Sequence, residues 1–288
     1  MKKVAVIVGP TAVGKTAISI EIAKRYHQEV ISGDSVQVYK GLDIGSAKIK
    51  PHEKQSIPHH LIDILNPGEH YDVAKFQKAA RSLIEKIDKP LIVGGTGLYI
   101  KACLDDYDFS GKSRDEAFES RYDQRSNEDI HKELQRKDPV AANKIHPNNR
   151  RRVLRALALV EGVKRSDRKN KDIPLYDYKV FYLTLPRDIL YKRINERVNL
   201  MIAEGFIDEV KHLKQQGHTF NIIGYREIND YLDGLYTKEE AIDEIKTVTR
   251  RFAKRQETFF KNQMKAHMIH NDEHALGKIM EILDRFYV

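Results

Sequence analysis

Apolar residues in the first hundred positions form short runs that alternate with segments of helical spacing. The short runs predict buried strands at residues 4–8, 29–32 and 90–93. Apolar side chains recur every three or four positions at residues 16–26 and 73–87, which predicts helices that pack on those strands. Residues 57–65 predict a further extended segment. Strands that alternate with helices favour an α/β fold, with a parallel sheet and helices on both faces.

The pattern changes between about residues 108 and 175, where polar turns separate helical segments and no apolar strand is evident. These segments lie at residues 114–125, 126–137, 139–145 and 149–161. A strand pattern returns at residues 178–185. The remainder is predicted to be helical, at residues 187–203, 206–216, 224–233 and 238–263. We therefore expect a core formed by residues 1–108 and 176–288, with a helical insertion at residues 109–175.

A glycine-bounded loop joins the first predicted strand to the first helix and carries the clearest chemical signal. It fits the phosphate-binding pattern G-x-x-x-x-G-K-[ST] with Gly9, Pro10, Thr11, Ala12, Val13, Gly14, Lys15 and Thr16. Backbone N–H groups and the positive end of the following helix favour an anion at this place. Lys15 adds a mobile positive charge, and the Thr16 hydroxyl is a ligand type suited to Mg²⁺. The loop alone does not decide which phosphates it holds.

Two further loops follow predicted strands, and in a parallel sheet such loops meet at one edge. They lie at residues 33–35 and 94–97. Three roles are open to Asp34: a Mg²⁺ ligand, a general base, or an N-cap of the following turn. The strand before residues 94–97 lacks the aspartate by which motor-type NTPases hold Mg²⁺, whereas glycines and Thr96 suit anion stabilisation. Asp63 is either a Walker-type aspartate or a structural carboxylate.

Composition places the chain among globular proteins and narrows its surroundings. The 288 residues are 41% hydrophobic and 32% charged, with a formal net charge of +8. No apolar run approaches the ~20 residues of a membrane span, and the first residues predict a strand rather than a secretory signal. The single cysteine, Cys103, excludes an intramolecular disulfide and a cysteine-based zinc site. We therefore expect a cytoplasmic protein that does not contact membranes.

Positive charge is concentrated in the predicted insertion. Residues 144–171 contain ten Lys and Arg against two acids, an excess equal to the net charge of the whole chain. Because a solvated surface would usually interleave the two signs, this run favours contact with a nucleic-acid backbone. Arg151 and Arg155 share one face of a predicted helix. Arg193 and Arg197, also four positions apart, form either a phosphate clamp or a surface salt bridge.

Taken together, these residues resemble the tRNA dimethylallyltransferase family, also called the tRNA isopentenyltransferases. The matching motifs run in order along nearly the whole chain. They lie at residues 9–16, 33–39, 43–48, 59–63, 71–76, 94–99, 146–148, 152–156, 193–201, 205–206, 224–226 and 254–256. This spaced combination is far more specific than the phosphate loop alone.

The resemblance implies a P-loop NTPase-like core and a reaction. A dimethylallyl group would move from dimethylallyl diphosphate to N6 of the adenosine 3′ of the tRNA anticodon. The loop would then hold a leaving diphosphate rather than ATP, with Mg²⁺ as cofactor and Thr16 as its ligand. Asp34 would take the proton from the adenine amino group. Thr96 would bridge the amine and the diphosphate, and Arg197 would help to stabilise the leaving group.

The resemblance also implies the contacts with RNA. The adenine and its neighbours would be read by Asp34, Ser35, Val36, Gln37 and Thr96. The anticodon stem-loop would be gripped by Arg151, Arg152, Val153, Leu154 and Arg155. The target base must leave its stack to reach such a site. We expect the protein to act on tRNA as a monomer.

Other functions remain open on the residues alone. A P-loop small-molecule kinase would bind a nucleotide and release ADP. An isopentenyltransferase of free adenine nucleotides would not need the basic insertion. An RNA-binding NTPase that switches without modifying RNA is the third rival, and the lack of an aspartate at the strand end speaks against it.

Overall fold

The structure, a computed structural model, describes residues 1–107, 109, 116–160 and 173–288. Contacts within the chain define two compact units, residues 1–104 with 174–288, and residues 105–173. The outer ends of two predicted helices, residues 114–115 and 161, lie outside the described residues. So do five cations of the basic run, Lys164, Arg165, Arg168, Lys169 and Lys171.

Six parallel strands form the sheet of the first unit, in the order β3-β2-β4-β1-β5-β6. Their bounds are β1 Lys3–Val8, β2 Glu29–Gly33, β3 His59–His60, β4 Pro90–Gly94, β5 Asp177–Thr184 and β6 Ala266–His270. Every neighbouring pair runs parallel. The predicted parallel sheet is confirmed, and the carboxyl ends of its strands therefore lie along one edge.

Most of the helices lie at the predicted positions, but the helix Glu116–Ser120 ends before the predicted segment at residues 114–125 does, and the helix Ala275–Tyr287 was not predicted. In chain order they are α1 Lys15–Tyr26, α2 Val73–Lys86, α3 Gly97–Leu104, α4 Glu116–Ser120, α5 Asn127–Lys137, α6 Pro139–Ala142, α7 Arg150–Leu159, α8 Arg187–Ala203, α9 Phe206–Gln215, α10 Tyr225–Leu232, α11 Lys238–Gln263 and α12 Ala275–Tyr287. None of these helices combines the length and apolar composition needed to span a bilayer.

Helices cover both faces of the sheet, as the apolar pattern predicts. On one face, Val6 and Ile92 pack with side chains of α2, α3 and α11. On the other face, Ile7 and Leu91 pack with side chains of α1 and α12. Successive residues of a strand point to opposite faces, so a strand covered on both sides is apolar at every position. This is why residues 4–8 form an unbroken apolar run.

Two features of the sequence prediction are wrong. Residues 57–65 contain only the two-residue strand β3, after which Leu61 and Asp63 take positive φ angles. Asp63 pairs with the buried end of Lys48 at 2.5 Å, so it is a structural carboxylate. The chain after residue 187 is also not all helical, because β6 pairs with β5. Only Ile269 of β6 is buried, so this edge strand lacks the apolar run that identifies the inner strands.

The second unit has an apolar cluster of its own. Ile130 and Leu134 of α5 pack there with Val153, Leu154 and Leu157 of α7. The apolar positions of both helices recur at helical spacing, so each helix presents one face to the cluster. The opposite face of α7 is left to its arginines.

Candidate active site

A cavity of about 400 Å³ lies at the carboxyl edge of the sheet in the first unit. Its wall is formed where β1, β2 and β4 end. The predicted site residues that line it are Thr11, Ala12, Gly14, Lys15, Thr16, Asp34, Ser35, Val36, Gln37 and Arg197. Gly9, Pro10, Val13 and Thr96 belong to the same loops but are not among its lining residues. Arg193, the proposed partner of Arg197, is exposed and also does not line the cavity.

Lys15 reaches back over the phosphate loop. Its Nζ donates to the carbonyl oxygens of Gly9, at 3.0 Å, and Pro10, at 2.8 Å. Desolvation of the ammonium lowers the pKa of Lys15 to about 8; the positive charge of Arg197 also lowers it, and Asp34 raises it. Burial likewise lowers the pKa of Arg197. Two desolvated cations facing one cavity favour a ligand with several negative charges.

Asp34 is held by the backbone of the turn that follows β2. Its Oδ1 accepts hydrogen bonds from the N–H groups of Val36, at 2.7 Å, and Gln37, at 3.3 Å. Asp34 therefore caps this turn, and the two hydrogen bonds fix its carboxylate. The residue also lines the cavity. A fixed carboxylate beside an anion site is compatible with a base, because capping occupies Oδ1 and not the whole group.

Thr96 does not line the cavity and directly precedes α3. Its N–H donates to the carbonyl oxygen of Gly33 at 3.2 Å, which ties the end of β4 to the end of β2. Its Oγ1 lies 3.5 Å from the Oγ of Ser35, a lining residue. The two strand ends approach closely here, since a Cβ on Gly94 would lie 2.3 Å from the carbonyl oxygen of Gly33. The Ser35 hydroxyl thus connects Thr96 to the cavity.

One part of the cavity lining is apolar. It is formed by Ile194, Val198, Met201, Phe206, Ile222, Ile223, Ile245 and Phe252. Most of these residues come from α8 and α11, which lie far along the chain from the loop. The cavity therefore combines residues suited to an anion with residues suited to a hydrocarbon.

Sequence reasoning missed Gln256 of α11 as a site residue. Its side chain is buried, lines the cavity, and donates from Nε2 to the carbonyl oxygen of Gly95 at 2.9 Å. Its Oε1 is buried and makes no hydrogen bond within the structure. The motif at residues 254–256 was the available signal, although it does not show which group the Gln256 amide contacts.

The loop at residues 43–47 also borders the cavity and is anchored by one carboxylate. Glu209 of α9 accepts hydrogen bonds from the N–H groups of Asp43, Ile44 and Gly45, at 2.7–3.1 Å. Gln37 in turn donates from Nε2 to the carbonyl oxygens of residues 46 and 47, at 3.3 and 3.4 Å. The orientation of the Gln37 amide therefore depends on this anchored loop.

Few side chains at the cavity could bind a metal ion. Among the residues that the structure describes, no group of three or more His, Cys, Asp and Glu side chains could hold a metal ion. Thr16 is exposed at the cavity, and Asp34 lies in the same wall. This set fits Mg²⁺, which usually binds through few protein oxygens and completes its shell with water and substrate phosphates.

The five residues of the second unit that are predicted to bind RNA differ in burial. Arg151 and Arg152 are exposed and Arg155 is half-buried, whereas Val153 and Leu154 are buried in the apolar cluster. The two apolar side chains hold α7 in place, and the arginines are the accessible members of the set. The neighbouring Arg150 is committed elsewhere, because it donates to backbone carbonyls and to the Asn127 side chain inside its own unit.

Comparisons with known proteins agree on one family. The model of a family described as IPP transferase matches residues 37–263. A tRNA dimethylallyltransferase of Carboxydothermus hydrogenoformans is 46% identical over 297 aligned residues, which cover 97% of this chain and 96% of the relative. One of Geobacillus kaustophilus is 48% identical, covering 91% of this chain and 89% of the relative.

Two solved structures extend the agreement to the fold. A tRNA isopentenylpyrophosphate transferase of Bacillus halodurans has a TM-score of 0.76 and 43% identity, covering all of this chain and 96% of its own. A eukaryotic dimethylallyltransferase acting on tRNA has a TM-score of 0.85 and 29% identity, covering all of this chain and 80% of its own. Sequence and fold therefore agree along the length of the chain, which belongs to the IPP transferase family of tRNA dimethylallyltransferases.

Proposed function

We propose that this protein transfers a dimethylallyl group from dimethylallyl diphosphate to N6 of the adenosine 3′ of the tRNA anticodon. One observation carries the proposal: a single cavity joins a phosphate-binding loop, a fixed carboxylate and an apolar wall. These are the three surfaces that an allylic diphosphate and an amine nucleophile need. The names of the relatives favour this reaction over a small-molecule kinase or an enzyme acting on free nucleotides.

The diphosphate would lie against the loop, where Lys15 and the N–H groups of residues 14–16 face it. Lys15 would exchange its hydrogen bonds to Gly9 and Pro10 for contacts with phosphate oxygens. Arg197 supplies a second cation at the same cavity. The hydrocarbon would pack on the wall formed by α8 and α11, which keeps water away from the allyl carbon.

The transfer replaces one bond by another. The amine nitrogen N6 forms a bond to C1 of the dimethylallyl group, and the C1–O bond breaks with its electron pair leaving on the diphosphate. Asp34 accepts the proton that N6 loses, and the backbone N–H groups of Val36 and Gln37 hold the carboxylate in place. Lys15 and Arg197 stabilise the negative charge that grows on the leaving group. Thr96 would complete the bridge between amine and diphosphate beside Ser35.

Mg²⁺ would be held by the Thr16 hydroxyl together with diphosphate oxygens. When bound, it would supply positive charge to the leaving group. The protein's own part is to present that hydroxyl at the first turn of α1, where the loop N–H groups already favour an anion. We propose no further protein ligand for it.

The RNA would be recognised by two sets of residues. Asp34, Ser35, Val36 and Gln37 border the cavity and would contact the target adenine and its neighbours. In the helical unit, Arg151, Arg152 and Arg155 would hold phosphates of the anticodon stem-loop. We propose that the protein acts as a monomer, and a tRNA substrate supports a cytoplasmic location.

Incubation with dimethylallyl diphosphate, Mg²⁺ and undermodified tRNA tests the proposal. The tRNA is then digested to nucleosides, and mass analysis should reveal N6-isopentenyladenosine. Parallel reactions with ATP or with free AMP in place of one substrate should yield no ADP and no alkylated nucleotide. Absence of isopentenyladenosine with the unaltered protein would reject the function, and ADP formation would favour the kinase.

A further inference from the structure

The phosphate loop is held from outside by a residue near the end of the chain. Asn271 follows β6 directly, and its Nδ2 donates to the carbonyl oxygen of Val13 at 2.5 Å. The two residues are 258 positions apart. Asn271 is not among the residues that line the cavity, so any effect on a ligand must pass through the loop.

The sheet fixes where Asn271 lies. Because β6 runs parallel to β5, it ends at the same edge as β1 and the phosphate loop. The backbone N–H of Asn271 donates to the carbonyl oxygen of Thr184, the last residue of β5, at 2.8 Å. Its side chain therefore starts from a fixed backbone and spans the gap to the loop.

The contact determines the direction of a neighbouring N–H group. In a planar trans peptide, the C=O of one residue and the N–H of the next point in opposite directions. The Val13 carbonyl points at Asn271, neither of these two residues lines the cavity, and Gly14 does line it. The Gly14 N–H therefore points away from Asn271, the direction that a donor to an anion in the phosphate loop would need. A hydrogen bond to the carbonyl also polarises the peptide and strengthens its N–H as a donor.

Asn271 also packs against Gly14. Its φ of +97° lies in the left-handed region, and a Cβ at this position would be 2.6 Å from Asn271 Nδ2. The amide thus packs directly on the glycine that the loop needs for its turn. Asn271 therefore bonds to the Val13 carbonyl and packs against the next residue, Gly14.

We propose that Asn271 is a positioning residue for diphosphate binding, which it supports by holding the Val13–Gly14 peptide in its anion-binding orientation. The inference rests on the proposed function of the loop. It assigns a specific role to the β6–α12 junction, which lies beyond the end of the family match at residue 263.

Calorimetric binding of inorganic diphosphate in the presence of Mg²⁺ tests this role. Asn271→Ala should weaken binding about tenfold, the loss expected when one charge-assisted contact is no longer oriented. Asn271→Asp should weaken it further, because a carboxylate would oppose the Val13 carbonyl and add negative charge near the ligand. His270→Ala, an exposed neighbour on β6, is the matched control and should bind like the unaltered protein.

Steady-state kinetics separate positioning from a general structural role. Both Asn271 variants should raise the KM for dimethylallyl diphosphate and leave the KM for tRNA unchanged, whereas a loosened fold would affect both. If Asn271→Ala does not fold, the isosteric Asn271→Asp still decides the matter. Diphosphate affinity within twofold of the unaltered protein in a folded variant overturns the inference alone. Failure of the unaltered protein to bind diphosphate overturns both the inference and the proposed function.

Discussion

The phosphate loop and helix α7 both present positive charge, but they do so in opposite ways. Lys15 is desolvated and bonded to two carbonyl groups of its own loop. Arg151 and Arg152 are exposed on a helix whose other face is buried in an apolar cluster. Desolvation strengthens the electrostatic interactions of each charge in the first region. Exposure leaves each charge in the second region free to change its conformation and makes its interactions sensitive to salt. The first arrangement suits chemistry on a small ligand, and the second suits holding a large one.

The largest expected effect separates the two roles of Asp34 within the first region. Asp34→Asn keeps an oxygen that can accept from Val36 and Gln37, but it removes the basic group. We expect kcat to fall by about 10²–10⁴, the usual contribution of a general base. Single-turnover measurement of isopentenyladenosine formation, with the melting temperature as a check on folding, tests this expectation.

A variant that keeps full activity would show that Asp34 serves only as a cap. The contrast between a region that performs chemistry and a region that holds RNA would then weaken, because the fixed carboxylate of the first region would have no chemical role. Asp34→Ala, which loses both the cap and the base, is the companion variant. It should lower the melting temperature more than Asp34→Asn does, because two backbone N–H groups lose their acceptor.

The second expected effect is the pH dependence of diphosphate binding. With a pKa of about 8 in the free protein, Lys15 is charged at pH 7 and largely neutral at pH 9. An anion that binds the charged form raises this pKa, so binding takes up a proton and weakens as pH rises through 8. We expect the affinity for dimethylallyl diphosphate to fall about tenfold between pH 7 and pH 9.

Lys15→Arg provides the reference for that measurement, because arginine stays charged over the whole range. Titration of both proteins in the same buffers removes the contribution of the ligand's own ionisation. Equal pH profiles for the two proteins would show that the charge of Lys15 does not change in this range. The contrast between a desolvated and a solvated cation would then lose its main support.

The smallest expected effect belongs to the exposed region. Replacing Arg151 and Arg152 together by alanine should weaken tRNA binding about fivefold at low salt. The slope of log affinity against log salt should also fall by about one to two, since each phosphate contact releases close to one counterion. The KM for dimethylallyl diphosphate should not change. Filter binding of tRNA over a series of salt concentrations measures both quantities.

Arg150→Ala is the matched control for that double variant. Arg150 donates to groups of its own unit, so its loss should lower stability by about 1–3 kcal/mol and leave the salt dependence as it is. Unchanged tRNA affinity in the double variant would remove α7 from the RNA interface. If Arg150→Ala also reduced the slope of log affinity against log salt, exposure would not be what decides which of the consecutive arginines contact RNA.

The sequence by itself determined much of the core. Apolar runs covered on both sides identified the inner strands, and the motif at residues 9–16 identified the loop that an anion would occupy. Both signals are local, since strand burial and loop geometry depend on neighbouring residues. The parallel order of the strands then brought Asp34 and Thr96 to the same edge without any coordinates.

Only the tertiary structure decided which distant residues hold the loops of the site. Gln256 and Asn271 reach the site from α11 and from the end of β6, at separations of 161 and 258 residues from their partners. Gln256 belongs to the motif at residues 254–256 and Asn271 to none of the matched motifs. In both cases a polar side chain looks like a solvent-facing residue until its neighbours are known. Burial separated the arginines of α7 from Val153 and Leu154 in the same way. Contacts of this kind arise from packing across the chain, and packing is the property that a sequence pattern does not display.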